Sequence, residues 1–223
     1  MQVRFPNPFG LALPDAQAVR EYQAAQGFSD AYAQFLITQN GLDFDRLEAA
    51  PDREDYLQAD DETGDNHAWL RTLHHFRAGS EHCDVEDHQR ENLFAAHFMV
   101  IGHDPGGNPF VEVLHGAFKG RIGSLDHELF AGCEDLEQFL EEMELSGFAA
   151  ASVDEQTDML CDEDQGLIWF HASSMDSFVQ QCVFCDEDGS GFVVMALVSG
   201  SNRLDEAALA AAADADHTER ADA

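Results

Sequence analysis

Apolar positions recur at helical spacing near the start of the chain and at alternating spacing through its middle. Residues 13–27 read as a first helix: Pro14 and Asp15 occupy a first turn that favours proline and acid, and Gly27 supplies a stop. In residues 28–41, Tyr32, Phe35 and Leu36 fall at i, i+3 and i+4 and form one apolar face. Ser29 is placed to cap the start of this helix and Asn40-Gly41 to end it. Residues 42–66 are acid-rich, contain Pro51, and read as a solvated connection with room for a short helix. Residues 67–79 fit both periods, since Trp69, Leu73 and Phe76 make a helical stripe while alternate residues would line a sheet. The abrupt close at Ala78-Gly79-Ser80, with helix-like residues 83–92 behind it, favours a strand.

Short β-type runs separated by glycines follow. Phe98, Val100 and Gly102 point one way, and Met99, Ile101 and His103 the other. Residues 134–144 predict an amphipathic helix with Leu136, Phe139, Leu140 and Met143 on one face. Residues 147–165 form a second acidic, weakly patterned stretch. Beyond them, residues 167–173 read as a buried strand, 173–184 as a helix and 190–200 as a closing strand. The sum is an α+β chain: N-terminal helices packed on a mainly antiparallel, twisted sheet, with a C-terminal strand-helix-strand extension. The expected boundaries are a domain over 1–146, an extension over 147–203 packed on or continuing the sheet, and a mobile tail over 204–223.

Charge changes this picture most. Forty-four acidic residues face eleven Lys and Arg, Lys119 being the only lysine, for a formal net charge of −33 in 223 residues. Such a surface repels nucleic-acid phosphates and anionic lipid, and it speeds encounter with a basic partner. Solubility, or life at high salt, would account for the acidity equally well. With 44% hydrophobic residues a sizeable core is available. The N-terminal stretch lacks the apolar region of a signal peptide, and no run of eighteen apolar residues is present to span a bilayer. Five cysteines without a secretion signal predict reduced thiols and a cytoplasmic protein.

Candidate chemistry begins with residues 102–116, GHDPGGNPFVEVLHG. Gly102 and Gly107 satisfy G-x-x-x-x-G, yet Asn108-Pro109 stands where a phosphate-binding loop needs Lys and Ser or Thr. Pro109 also removes a backbone donor, and no helix pattern follows to offer its N-terminus to an anion. Calcium would need further oxygen ligands at alternating positions. Residues 104–108 instead have the composition of a tight turn. Most of the histidines lie between residues 67 and 127, and His74, His75, His82, Cys83 and His88 resemble scattered metal ligands. Neither HExxH nor an H-x-x-x-H spacing is present, so no metal ligand and no cofactor is expected. Cys182-x-x-Cys185 is a lone pair that Cys133 and Cys161 would complete only if the fold gathered them; buried free thiols are the expectation. No nucleophile signature appears, and Asp126-His127-Glu128 reads as a strand end or turn cap before it reads as an acid–base cluster.

The order of these pieces resembles the SUKH superfamily. Leu13-Pro14, Tyr32-Ala33-Gln34-Phe35-Leu36 and Asn40-Gly41 are similar to its opening motifs. Ile101-Gly102-His103-Asp104-Pro105-Gly106-Gly107-Asn108 is similar to its I-G-x-D-x-x-G-N run, and Gly120-Arg121-Ile122-Gly123 with Asp126-His127-Glu128 to its G-x-I/V…D-H-E run. Leu136-Glu137-Gln138-Phe139-Leu140 resembles its closing helix. The resemblance spans about residues 10–145; Gly123-Ser124 replaces the family's aromatic, and residues 147–203 have no counterpart. It implies a non-catalytic α+β binding module, in bacteria commonly an immunity protein that occupies a polymorphic toxin, often a nuclease. The motif residues Gly102, Asp104, Gly106, Gly107, Asn108, Gly120, Asp126, His127 and Glu128 then shape turns and strand ends. The expected partner is a basic protein, a cognate toxin, with neither nucleic acid nor membrane. A regulatory or scaffolding protein of the same fold is the alternative, and a metal-dependent hydrolase using the His-rich middle is a third reading.

Overall fold

Short polar side chains start the helices where the apolar stripes begin. The Asp15 carboxylate accepts hydrogen bonds from the Gln17 and Ala18 amides and caps α1 (Ala16–Gln26), which ends on Gly27 at φ 85°. Ser29 caps α2 (Asp30–Thr38), burying Tyr32, Ala33, Phe35 and Leu36. The computed structural model describes residues 13–43, 56–60, 67–70, 72–77, 84–104, 106–185 and 191–192. His82, Cys83, most of the expected closing strand and the expected tail at 204–223 lie outside the described residues.

Among the described residues, ten strands form two sheets. The larger has the order β1 (Leu42–Asp43), β4 (Thr72–Leu73), β5 (Phe98–His103), β6 (Pro109–Val113), β7 (Ile122–Leu125) and β8 (Ile168–Ala172), open and antiparallel throughout. The smaller has the order β10 (Gly191–Phe192), β9 (Cys182–Cys185), β2 (Tyr56–Asp60) and β3 (His67–Leu70), also antiparallel. The structure is therefore α+β, with the N-terminal helices packed on the sheet. Among the described residues no helix is long and apolar enough to cross a membrane.

The period of two along β5 sorts its side chains onto two cores. Met99 and Ile101 join Val19, Phe28, Tyr32, Leu36, Phe110 and Phe178 beneath α1, α2 and α6 (Met175–Gln181). Phe98 and Val100 join Val111, Val113, Phe139 and Leu160 beneath α4 (Leu136–Glu142) and α5 (Val153–Leu160). Both faces of the sheet are covered, which is why these strands read as nearly continuous apolar runs. Gly102 is required where β4 and β5 meet, because a Cβ there would run into the Thr72 carbonyl oxygen.

Three segments differ from the sequence reading. In the acid-rich connection over 42–66, the described residues Leu42–Asp43 and Tyr56–Asp60 form strands β1 and β2, paired with β4 and with β3 and β9; the remainder, where a short helix had room, lies outside the described residues. The helix expected over 173–184 stops at Gln181, and Cys182–Cys185 continues as a strand paired with β2. The weakly patterned stretch over 147–165 contains helix α5, capped by the reciprocal Ser152–Glu155 box. Strand β8 is buried at Ile168, His171 and Ala172, but Trp169 is 58% exposed.

Candidate functional site

Most of the motif residues singled out in the sequence meet at one end of the β5–β6 hairpin; Gly120 does not, since it lies in the β6–β7 connection at the other end of β6, its amide bonded to the Val113 carbonyl. Asp104 accepts hydrogen bonds from the Asn108 amide and the Asn108 side-chain amide, each at 2.8 Å, and Gly107 takes φ 96°. With its NH₂ group committed to Asp104, Asn108 turns its Oδ1 to His127, accepting from the backbone amide at 3.0 Å and from ring Nδ1–H at 2.8 Å. Asp126 caps the 3-10 turn His127–Leu129 through the Glu128 amide. Gly106 is exposed, Gly120 lies at φ 85°, and Gly102 makes the close approach already described. These residues tie two turns together. Strand β6 follows the loop, so no helix begins directly after it.

Behind this junction the charge is segregated. Residues 126–165 contain fourteen acidic residues and no Lys or Arg, and the chain has neither Lys nor Arg from 122 to 202. Twelve of the fourteen are exposed, among them Glu134, Glu137, Glu141, Glu144, Glu163 and Asp164. Glu137 and Glu141 stand one turn apart on α4, a like-charge spacing that costs helix stability. Asp154 and Asp158 are engaged within the fold, accepting from the Gly116 and Ala117 amides of the β6–β7 connection. The arginine ion pairs among the described residues, Arg20–Asp30, Arg77–Glu86 and Arg90–Asp87, all lie on α1, α2, α3 (Val85–Glu91) and the residues beside them. The acids of α4, α5 and the residues between and after them thus lie over one face of the sheet, where no Arg–carboxylate pair forms among the described residues.

On the other side, three histidines that are distant in sequence converge. His74 directly follows β4, His88 lies on α3 and His103 ends β5. One ligand nitrogen from each ring lies within 4.8 Å of the other two. The His74 and His88 rings stack with centroids 3.8 Å apart, and His103 lies 4.7 Å from His74 and 4.8 Å from His88. His74 is wholly buried, and neither of its ring nitrogens has a hydrogen-bond partner. Leaving such a group unpaired costs about 1–3 kcal/mol. Burial, with the adjacent imidazoles, holds His74 well below its ordinary range; burial, then His88, brings His103 down to about 4. The two rings are neutral at physiological pH. His75 is also buried and lies outside this group.

The remaining titratable groups serve the frame. Glu112 on β6 is buried and accepts from the Ser29 amide at 2.5 Å and the Ser29 hydroxyl at 2.9 Å; burial outweighs both bonds and pushes its carboxyl up to about 7. His97 pairs with the Thr157 hydroxyl at 2.8 Å, and burial lowers it to about 4. Cys133 and Cys161 are free thiols, Cys161 buried. No family model matches the chain, and neither the curated proteins nor the solved structures searched contain a match to it.

Proposed function

We propose that the chain is a non-catalytic protein-binding module that holds a basic protein partner against its acid layer. The observation that carries this reading is the charge segregation. Every carboxylate–arginine pair among the described residues lies away from residues 126–165, while that stretch of chain holds fourteen acids and no Lys or Arg; the nearest cation is Arg121, which stacks over Phe118 and Phe170 without pairing to a carboxylate. A cationic partner would relieve the repulsion between neighbours such as Glu137 and Glu141 and would be steered to this face from a distance.

The partner class follows from the SUKH resemblance together with this charge: a polymorphic toxin, such as a nuclease, whose basic substrate-binding surface the module masks. The protein acts in this reading as an immunity protein in the cytoplasm of the toxin's producer. An immunity gene sits beside its toxin gene, and deleting it exposes the cell to that toxin. The test is to delete the gene alone and together with its neighbour. Loss of viability that the double deletion rescues supports the reading. A harmless single deletion, with no one-to-one basic partner on purification, leaves a regulatory or scaffolding module instead.

A further inference from the structure

We propose that His74, His88 and His103 bind one divalent transition-metal ion, with zinc the best match to an all-imidazole ligand set. Nothing in the binding reading requires this site, and it lies in a part of the fold apart from the acid layer. Three elements supply the ligands. The β4–β5 pairing places Thr72 opposite His103; His74, two residues on with its amide bonded to the Ile101 carbonyl, lies diagonally across from His103, and α3 presents His88 beside them.

Stacked buried imidazoles can be mere filling, but filling does not explain His74. A buried histidine ordinarily donates one ring N–H and accepts at the other nitrogen, whereas His74 does neither while wholly buried. Coordination would give one of those nitrogens a partner. Zinc bonds imidazole nitrogen at about 2.0–2.1 Å, so a tetrahedral site needs ligand nitrogens roughly 3.3 Å apart. The present spread is at most 4.8 Å. Rotation of the half-buried His88 and His103 rings, unstacking His88 from His74, would close the difference while the buried His74 stays fixed. Imidazole suits zinc, copper and nickel, and zinc imposes the least geometric demand. Three protein ligands leave a fourth position for water.

The test uses the full chain carrying a tag without histidine, stripped with chelator and titrated with Zn²⁺ and, in parallel, Co²⁺. The expected result is one equivalent of Zn²⁺ bound per chain, a raised melting temperature, and a Co²⁺ absorption band of low-symmetry, nitrogen-ligated metal. His88→Ala and His103→Ala should each weaken Zn²⁺ at least tenfold and erase the band, while His115→Ala changes neither. His88 and His103 are half-buried, so circular dichroism should find both variants folded; if either unfolds, the wild-type stoichiometry and the Co²⁺ band still decide. Substoichiometric binding, or many weak equivalents taken up equally by all variants, overturns the site and assigns the metal to the acidic surface.

Discussion

The side-chain oxygen of Asn108 lies 3.0 Å from the His127 amide nitrogen and 2.8 Å from its ring Nδ1, joining the β5–β6 turn to the turn that follows β7. Nineteen residues separate them, and Asp104 fixes the amide by accepting from its Nδ2. Removing this junction with Asn108→Ala should cost about 1 kcal/mol, the net worth of hydrogen bonds at half-buried positions. Asn108→Asp should cost more at neutral pH, because it sets a second carboxylate against Asp104. Acidification should recover part of that loss. Urea denaturation of both variants at neutral and acidic pH checks the order.

Two buried groups give the stability opposite pH dependences. The Glu112 carboxyl sits at about 7 in the folded chain against an ordinary 4.5, so its contribution is fully present below pH 4.5 and is lost as pH rises through 7. His97 sits at about 4 against 6.5; its contribution is present above pH 6.5 and lost as pH falls through 4. Glu112→Gln should therefore lose stability more steeply than the parent between pH 7 and 4.5, and His97→Asn less steeply. Denaturation midpoints across this window measure both slopes.

Much of the frame was legible in the sequence because local chemistry decided it. Ser29 and Gly27 cap as their types predict, Asp15, expected within the first turn, caps from just before it, and the alternation at residues 98–103 divides between two cores as period two requires. The turn at 104–108 follows from Asp, Gly and Asn. Helix α5 was missed because its acids suggested only solvation, although Ser152 and Glu155 at capping-box spacing, followed by Thr157 and Leu160, were a readable signal. Strand β9 was taken for helix because no local residue breaks the run after Gln181; its pairing with β2 is a long-range fact. The histidine triad had no local frame at all. Its members stand fourteen and fifteen residues apart on three elements, and only the β4–β5 pairing with α3 packed beside it brings them together.

Gly102 tests that long-range pairing. A methyl group there meets the Thr72 carbonyl oxygen, so Gly102→Ala should separate β4 from β5 at a cost of roughly 1–3 kcal/mol or more. Because the same pairing positions His74 and His103, the variant should also bind Zn²⁺ more weakly than the parent. Thermal melting with and without Zn²⁺ reads both effects.

Cys161 should be chemically silent in the folded chain. It is 1% exposed, and burial, followed by the charge of Asp158, pushes its thiol up to about 12. Iodoacetamide at neutral pH should label Cys161 only after denaturant is added, whereas the half-buried Cys133 should react in the native state, slowed by Glu142 beside it. Peptide mass spectrometry of the two labelling conditions distinguishes the sites.

The acid layer as a partner-binding face is tested most directly by charge reversal. The tagged chain and a variant carrying Glu137→Lys, Glu141→Lys and Glu163→Lys are each purified from the native host at low salt and eluted with a salt gradient. The wild-type chain should retain a basic protein in one-to-one amount and release it steeply as salt rises, and the folded variant should retain none. A partner held equally by the variant, or released without regard to salt, would contradict the assignment of binding to this face.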